Sequence, residues 1–342
     1  MFGWAARTRE HTLTLGDRAL GPLLKNETVL NGALRHGIDF PHSCKVGGCA
    51  ACKCRLVSGK VRELTDKSYL LSREEIRDNF ILGCQSIPLS DVTVELPHNP
   101  LANQHRTATL VRQEWLTHDI AEITLQLDEP VRYQPGQHAS LQAANTDIPA
   151  RCYSFAHRCE PDGNRNVSFF VRRVPNGRMS HWLLDAGSLH QRLNLTASLG
   201  DFHLRQGPEA LLCIAGGSGL APLIALLEGM VDSGSTNRPV TLLMGARTQR
   251  DLYYVREIDA LKSQWRASFA FLPVLSEEPA DSDWTGARGW VTEAITPERV
   301  ANAQGYLCGP PPMIDVAVER MTAFGLSRDA IFFDKFSDQN AR

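Results

Sequence analysis

The sequence has no long apolar run and almost no excess of charge of either sign. Its N-terminal stretch, MFGWAARTREHTLTLG, is interrupted by charged residues and lacks the apolar core of a signal peptide. No window approaches the roughly 18 uninterrupted apolar residues that cross a bilayer. The net charge of −2 gives no bulk attraction to nucleic acid or to a membrane surface. These absences favour a cytoplasmic protein, in which thiols stay reduced.

Internal repeats and low-complexity tracts are absent as well. A chain of 342 residues with an ordinary apolar share of 43% is too long for one core, so two or three domains are expected. Composition therefore indicates no function, whereas a dense group of cysteines does.

Four of the nine cysteines lie in the stretch PHSCKVGGCAACKCRL. In a reducing compartment a metal centre explains such a cluster better than disulfides do. Cys44, Cys49 and Cys52 have the spacing C-x4-C-x2-C, and Cys84 follows at a distance in FILGCQS. Structural zinc sites usually combine short knuckles, whereas one long loop, one knuckle and a distant thiol are the plant-type [2Fe–2S] pattern. The spacing therefore favours an iron–sulfur cluster, with zinc as the alternative.

The neighbours of these cysteines refine the assignment. Gly47 and Gly48 permit tight turns that direct backbone N–H groups at sulfide. Cys54 is a further close thiol, which we interpret as a small buried hydrophobe on the strand CKCRLVSG. The spacing alone also allows Cys54 to exchange roles with Cys52.

The segments around the cysteines indicate a small mixed domain. EHTLTL alternates like a strand, NETVLNGALRHG predicts a helix capped at Asn26 and ended by Gly37, and DVTVELP predicts a closing strand. Residues 1–97 resemble a plant-type ferredoxin domain of the β-grasp fold, and residues 98–104 are predicted to be a linker.

Basic residues outnumber acids around the cysteines. Only Asp39 opposes five cations, which are Lys45, Lys53, Arg55, Lys60 and Arg62. This excess is either an ordinary solvated face or a docking face for an acidic partner, and cations near the cluster would favour its reduced form.

Residues 105–206 contain short alternating strands separated by Pro and Gly, which predicts a β-barrel or a β-sandwich. In RCYSFA, Arg151 and Tyr153 share one face of a strand, where they can hold a phosphate and stack on a flat ring. RRVPNGRMSHWL then places Gly177 and Ser180 at a helix start, which is suited to an anion.

In this order and spacing, these motifs and YQPGQHASL resemble the flavin-binding domain of the ferredoxin–NADP reductase family. The resemblance implies an antiparallel β-barrel that binds FAD. It places Arg151 near the pyrophosphate, Tyr153 on the isoalloxazine and Ser154 near flavin N5. It also places Gly177 and Ser180 on the phosphates.

Residues 207–342 alternate strand and helix patterns, which predicts a parallel α/β sheet with its ligand at the carboxyl ends of the strands. The turn in CIAGGSGLAP has three glycines that let a helix N-terminus approach a pyrophosphate. Together GGSGLAP, MGAR and CGPPPM resemble the pyridine-nucleotide domain of the same family. The resemblance implies that Gly217, Ser218 and Gly219 line the pyrophosphate and that Cys308 and Gly309 lie by the nicotinamide.

Three further points concern this last segment. Cys308 has an alternative interpretation as a simple buried thiol. The family carries a C-terminal aromatic over the flavin, and Phe336 is our candidate, with Phe332 and Phe333 as competitors. The residues after the second strand give conflicting signals for NADH and NADPH. Cations there suit the 2′-phosphate of NADPH, and they flank an acid that suits the free ribose of NADH. The residues in question are Arg247, Arg250 and Asp251.

The order ferredoxin, FAD, NAD covers essentially the whole chain and resembles the reductase components of bacterial multicomponent oxygenases, of the naphthalene dioxygenase and the methane, phenol and toluene monooxygenase types. The resemblance implies an oxidoreductase that passes electrons from NADH through FAD and a [2Fe–2S] cluster to an oxygenase or a small ferredoxin. Flavin must stand between, because nicotinamide gives two electrons as a hydride and the cluster accepts one at a time. No paired Glu-x-x-His motif suggests a second iron site, so oxygen activation is expected in the partner.

Two alternatives stay open at this point. One is a reductase of the same architecture that serves deoxysugar biosynthesis. The other is a non-catalytic redox-sensing protein with zinc in the ferredoxin-like domain and no flavin. The resemblance further implies a monomer, with NADPH as the alternative electron donor.

Overall fold

The computed structural model describes residues 11–42, 45, 47, 50–67, 70–71, 73–97 and 104–336. The chain divides into two compact units, Met1–Pro100 and Leu101–Arg342. The predicted linker falls at this division, and its residues 98–103 lie outside the described part of the chain.

The first unit is a mixed β-sheet packed against a short helix. Its described strands are β1 (Thr12–Leu15), β2 (Arg18–Pro22), β3 (Lys53–Ser58), β4 (Val61–Glu63), β5 (Phe80–Leu82), β6 (Ser86–Pro88) and β7 (Val92–Glu95), and its described α-helices are α1 (Val29–Arg35) and α2 (Arg73–Arg77). The main sheet has the order β2-β1-β7-β3-β5, with β1 parallel to β7 and the other pairs antiparallel. β4 and β6 form a separate two-stranded sheet. The β-grasp prediction is confirmed.

Helix α1 begins later than the sequence suggests. Its N-cap is Thr28, whose side chain accepts a hydrogen bond from the N–H of Asn31. Asn26, the predicted cap, instead occupies a left-handed turn with φ 61°. Gly37 ends the helix as predicted, because its φ of 72° is accessible to glycine without strain. The apolar face of α1 is buried against the sheet. A helix this short is not stable alone, so this packing supplies most of its stability.

The second unit begins with six antiparallel strands. They are β8 (Gln104–Trp115), β9 (Ile120–Val131), β10 (His138–Ala143), β11 (Arg151–Ser154), β12 (Asn164–Arg172) and β13 (Arg192–Leu199), with helix α3 (Arg178–Leu184) between the last two. Their order is β11-β10-β13-β8-β9-β12. A bridge from Phe155, just after β11, to Phe169 in β12 brings the two outer strands together. The sheet therefore closes as a barrel, which decides the barrel-or-sandwich alternative.

The rest of the second unit is a parallel sheet covered by helices on both faces. Its elements are β14 (Ala210–Gly216), α4 (Leu220–Asp232), β15 (Val240–Ala246), α5 (Val255–Ser263), β16 (Phe269–Leu275), β17 (Ala287–Arg288), α6 (Pro297–Val300), β18 (Ala303–Gly309), α7 (Pro311–Ala323) and β19 (Ile331–Lys335). The order is β17-β16-β15-β14-β18-β19, and every pair is parallel. Strands buried on both faces explain the near-continuous apolar runs of the sequence.

One apolar core joins the barrel to the parallel sheet. Ile120, Phe170 and Phe202 of the barrel segment pack in the same buried cluster as Leu223 of α4 and Tyr306 of β18. The barrel and the sheet are therefore held together, and side chains of one reach groups of the other. In the described part of the chain, no helix is both long and apolar enough to cross a membrane.

Candidate functional site

Two of the four predicted cluster ligands lie side by side in the first unit. Cys52 precedes β3, and Cys84 lies in a tight 3-10 turn between β5 and β6. The backbone N–H of Cys84 donates to the Cys52 Sγ at 3.4 Å, and the N–H of Gly83 donates to the Cys52 carbonyl at 2.9 Å. Both thiols are buried. Cys44 and Cys49, the other two, lie outside the described residues.

The cysteine loop is shaped by left-handed backbone. Lys45, Gly47 and Ala50 have φ of 56°, 75° and 54°. Left-handed residues are a component of the backbone turns whose N–H groups bind anions such as sulfide and thiolate. A Cβ on Gly47 would lie 2.8 Å from Cγ of Gln85, so a side chain does not fit there. Gly48, the other glycine of the predicted pair, lies outside the described residues.

Cys54 behaves as a core residue. It lies in β3, has no exposed surface, and packs among Leu13, Ile81 and Val94. Burial, and then the nearby Cys84, raise the pKa of the Cys54 thiol to about 12. A thiol held in its neutral form inside the core suits a small hydrophobe better than a metal ligand.

The basic excess around the cysteines is smaller than the sequence indicates. Lys53 forms an ion pair with Glu75, and Arg55 forms one with Glu95 at 2.7 Å. The remaining three cations, Lys45, Lys60 and Arg62, are exposed. The two acids that neutralise their neighbours come from later in the chain and were not part of the local charge count.

The predicted flavin-binding residues lie on β11 and α3. Arg151 and Tyr153 lie two apart on β11, opposite Leu141 and Ala139 of β10, so they share a face as predicted. Tyr153 packs against the barrel core, and burial raises its pKa. Ser154 is buried on the other face.

The predicted phosphate loop ends at the start of α3. Gly177 is the N-cap of that helix, as predicted. The Ser180 hydroxyl donates to the Gly177 carbonyl at 2.9 Å and accepts from the N–H of Val174 at 3.2 Å. A Cβ on Gly177 would lie 2.7 Å from that hydroxyl oxygen. Ser180 therefore shapes the loop through its own hydrogen bonds.

The two predicted nucleotide motifs touch at the carboxyl edge of the parallel sheet. A Cβ on Gly219 would lie 2.2 Å from the Cys308 carbonyl oxygen, and one on Gly309 would lie 3.1 Å from the backbone nitrogen of Gly216. The two loops can approach this closely only because glycine occupies these positions. Ser218 and Gly217 face partly outward beside this contact.

The three C-terminal aromatic residues make different contacts. Phe332 lies 5.2 Å from the ring of Tyr306 and under the guanidinium of Arg205, while Phe333 packs in the opposite core. The N–H of Phe336 donates to the Gly309 carbonyl at 2.9 Å, which places this residue at the predicted nicotinamide site. Of the three candidates, Phe336 is the one whose backbone meets the CGPPPM loop.

A buried histidine and a carboxylate lie beside Cys308. His138 of β10 pairs across the sheet with Ser154, and its Nδ1 lies 3.9 Å from Oδ2 of Asp334 of β19. Within the described residues its Nε2 has no hydrogen-bond partner. Burial lowers the pKa of His138 to about 4, so it is neutral near pH 7. Burial and then Asp334 raise the pKa of Cys308 well above its usual range, which keeps it a thiol.

Several residues at this edge had no clear sequence signal. Arg172, at the end of β12, has Nη1 3.7 Å from the point that a Cβ on Gly217 would occupy. Trp290 is 67% exposed just after β17, where the Gly289 N–H bonds the carbonyl of Leu275 at the end of β16. A basic and a flat aromatic group thus stand where a parallel sheet receives its ligand. Neither belongs to a glycine or cysteine motif, and only folding brings them there.

Comparison with known proteins assigns the three segments. Residues 24–89 match the 2Fe-2S iron-sulfur cluster binding domain, residues 107–204 the oxidoreductase FAD-binding domain, and residues 213–319 the oxidoreductase NAD-binding domain. The chain is 40% identical over 316 residues to the xylene/toluene monooxygenase electron transfer component of Pseudomonas putida, covering 91% of this chain and 89% of the relative.

Two solved structures are similar along the whole chain. The ferredoxin reductase in carbazole 1,9a-dioxygenase has a TM-score of 0.69 at 31% identity, and an Amycolatopsis cytochrome P450 reductase has a TM-score of 0.73 at 30% identity. Each comparison covers 96% of this chain and 99% of the other. Both resemblances span all three segments.

Proposed function

The chain belongs to the family of oxygenase reductase components that join a ferredoxin domain to FAD and NAD domains of the ferredoxin–NADP reductase type, and from this membership we propose the roles of its residues. The protein is an oxidoreductase that passes electrons from NADH through FAD and a [2Fe–2S] cluster to an oxygenase component. The bound cofactors supply the hydride and one-electron chemistry, and the protein supplies binding and position. The proposed domains are 1–97, 105–206 and 207–342.

The single observation that supports the nicotinamide site best is the contact of Gly219 with Cys308 at the carboxyl edge of the sheet. We assign the pyrophosphate of NADH to the turn Gly217–Gly219, with Ser218 and the guanidinium of Arg172 beside it. The nicotinamide lies by Cys308 and Gly309. Trp290 offers a flat surface to the adenine, because it is an exposed aromatic at the same edge.

FAD would be held against β11. Arg151 and the loop from Gly177 to Ser180 would hold its phosphates, and Tyr153 would stack on its ring. Ser154 would lie near N5, and Phe336 would cover the ring. The buried His138, held neutral beside Ser154, keeps this wall of the site free of added positive charge.

Cys44, Cys49, Cys52 and Cys84 are the proposed ligands of the [2Fe–2S] cluster. The adjacency of Cys52 and Cys84, together with the left-handed loop that contains Lys45, Gly47 and Ala50, supports this set. Cys54 is left out of the set because its side chain has no exposed surface, whereas Cys52 and Cys84 in the same core are 4% and 5% exposed.

The decisive experiment is an anaerobic titration of the purified protein with NADH, followed by absorbance from the near ultraviolet to the red. We expect a flavin band and a broad iron–sulfur envelope to bleach together. Bleaching of the flavin alone would contradict the four-cysteine ligand set or electron flow to it. No response to NADH or NADPH would contradict the proposed nucleotide site.

The electron acceptor is proposed to be the oxygenase component of an aromatic-hydrocarbon monooxygenase, since a 40% identical relative is an electron transfer component of a xylene/toluene monooxygenase. We propose that it docks on the β4–β6 surface, defined by Lys60, Arg62, Leu64 and Leu89. These side chains are exposed. Strand β6 begins directly after the Cys84 turn, and β4 ends beside it, where the N–H of Leu64 donates to the Gln85 carbonyl. Two cations around two exposed leucines suit a partner with an acidic rim and an apolar centre.

We further propose that the reductase is a cytoplasmic monomer. A reduced compartment keeps the cluster thiols available, and electron transfer to a separate partner requires no second copy of this chain. Light scattering of the purified protein and fractionation of the native host test these two points, and a stable dimer or a membrane-pelleted protein would contradict them.

A further inference from the structure

Asp119 lies in the turn between β8 and β9 and joins the barrel to the parallel sheet. Its Oδ2 accepts a hydrogen bond from Nε of Arg172 at 2.9 Å and another from Nη2 of Arg247 at 3.2 Å. Arg172 ends barrel strand β12, and Arg247 follows β15 of the nucleotide sheet. Burial alone would raise the pKa of Asp119, but the charge and hydrogen bond of Arg172 outweigh it and lower that pKa. The carboxylate is therefore ionised near neutral pH.

This carboxylate stands at the proposed nucleotide groove. Arg172 reaches over the Gly217 turn, where its Nη1 is 3.7 Å from the point that a Cβ would occupy. Arg247 stands at the carboxyl end of β15, the strand next to β14. A dinucleotide whose pyrophosphate rests on the Gly217 turn extends its adenosine half across the carboxyl ends of the neighbouring strands. Arg247 is thus a cation that a phosphate on the adenosine ribose would meet, and Arg250, the second candidate from the sequence, is exposed three residues further along the chain.

The positive charge of Arg247 is already compensated. Its Nη2 donates to Asp119 and also to Oδ1 of Asp251 at 3.0 Å. The other oxygen of Asp251 accepts from the N–H and the hydroxyl of Thr248, at 2.9 and 3.0 Å, so this carboxylate is fixed in place. The two arginines and two aspartates sum to zero charge, and the His118 imidazole lies against the same group, with Nε2 3.4 Å from Nη2 of Arg247 and Nδ1 3.5 Å from Oδ1 of Asp251. Arg172 pairs with Asp119 through Nε and keeps Nη1 toward the Gly217 turn, so it still reaches a pyrophosphate. Arg247 is shared by two aspartates, so a further phosphate meets a compensated cation there.

We propose that Asp119 is a specificity-determining residue: by holding Arg247 away from the adenosine ribose, this flavin-domain carboxylate makes the reductase choose NADH over NADPH. The inference rests on the proposed nucleotide site at Gly217–Gly219. It assigns the discrimination to a residue outside the nucleotide domain, and it accounts for Arg247 and Asp251 within the mixed signal that Arg247, Arg250 and Asp251 give in the sequence.

The test compares Asp119→Asn with the parent protein in anaerobic stopped-flow reduction of the flavin, with NADH and NADPH as separate donors. The ratio of kcat/KM for NADPH to that for NADH is expected to rise about tenfold or more, because a freed guanidinium gains a charge-assisted hydrogen bond to the 2′-phosphate. Asp128→Asn is the matched control, since it removes the same charge from strand β9 and should leave the ratio unchanged. The ratio compares two donors on one enzyme, so a loss of folded protein cancels.

Two further variants separate this cause from others. Asp119→Asn combined with Arg247→Gln should return the ratio to the parent value, because the cation that gains the phosphate is gone. Asp251→Asn releases the same arginine from its other carboxylate and should shift the ratio in the same direction as Asp119→Asn. A ratio within about twofold of the parent in both single aspartate variants would overturn the proposal, and so would a shift that survives Arg247→Gln. Failure of NADH to reduce the parent flavin would instead overturn the proposed function.

Discussion

At the scale of single residues, the room available for a side chain determines which residue type several positions accept. The contact between the two nucleotide loops leaves no room for a Cβ at Gly219, and a Cβ at Gly47 would lie 2.8 Å from Cγ of the Gln85 side chain. Cys54 shows the reverse case, in which a reactive residue type is placed where only its volume is used. Replacement of Gly219 should therefore change the rate of flavin reduction, whereas replacement of Cys54 should leave the cluster in place.

Gly219→Ala is expected to slow NADH-driven flavin reduction by about tenfold or more, because the added Cβ would lie 2.2 Å from the Cys308 carbonyl oxygen and must push the loops apart. Stopped-flow absorbance measures the rate, and flavin content shows that the barrel is intact. Gly187→Ala is the control, since its Cβ would meet only a carboxylate oxygen of Asp185, at 3.1 Å. A parent-like rate in Gly219→Ala would contradict the assigned contact.

Cys54→Ala is expected to retain the cluster, whereas Cys84→Ala is expected to lose it. The first removes a buried thiol from the core and lowers the free energy of unfolding by about 1 kcal/mol. The second removes a proposed ligand. Iron and sulfide content per chain and the visible absorbance distinguish the two variants. Loss of iron from Cys54→Ala together with retention in Cys52→Ala would show that the two thiols exchange roles.

At the scale of elements, barrel and sheet are fastened by polar contacts as well as by their common core. After β11, His157 Nε2 lies 3.2 Å from Oε1 of Glu122 on β9, and its Nδ1 lies 3.0 Å from Oε1 of Glu228 on α4. Tyr254, before α5, donates to the other oxygen of Glu122 at 3.0 Å. The imidazole therefore bridges a carboxylate of each part of the second unit.

This bridge should make stability depend on pH. Burial opposes protonation of His157, but the hydrogen bonds and charges of Glu122 and Glu228 outweigh it and raise the pKa of His157 from 6.5 to about 9. The raised pKa means that the bridge stabilises the folded state fully below pH 6.5 and loses this contribution as the pH rises through about 9.

Thermal unfolding across that interval should show a larger fall in Tm for the parent protein than for His157→Gln. The variant lacks the titrating group but keeps a side chain that can donate to one carboxylate. Parallel pH profiles for the two proteins would mean that the bridge contributes nothing to stability.

At the scale of the whole molecule, a nearly neutral chain still carries local charge. Its formal net charge is −2, yet the β4–β6 surface presents Lys60 and Arg62 to solvent. Ion pairs with Glu75 and Glu95 have removed two other cations from the docking face that the sequence suggested. The face that remains is small, so its contribution to partner choice can be isolated.

Lys60→Glu with Arg62→Glu should slow reduction of the oxygenase partner by about tenfold at low salt and remove most of its salt dependence. NADH-driven reduction of ferricyanide should be unchanged, because that small acceptor needs no docking. Arg18→Glu with Lys25→Glu makes the same charge change at strand β2 and the loop after it, and serves as the control. Equal effects of both pairs on the partner would indicate a bulk charge effect instead of a docking face.

The sequence by itself determined the order of the three segments and the cysteine spacing typical of a [2Fe–2S] cluster. It also determined the strand and helix patterns within each segment and the positions of the glycine-rich turns. Each of these depends on neighbours a few residues away, and local spacing is what a sequence displays. It left the N-cap of α1 misplaced, because Asn26 and Thr28 are both good capping residues and only packing of the helix selects Thr28.

Only the tertiary structure decided which charges are compensated and which aromatics are available. Asp119 meets Arg172 from 53 residues away and Arg247 from 128, and Glu75 meets Lys53 from 22. Phe332 and Phe333 pack against two different apolar cores, while the N–H of Phe336 bonds the Gly309 carbonyl, although all three lie within five residues of one another. Electrostatic pairing and burial depend on distance in space, and that distance exists only after each unit has folded.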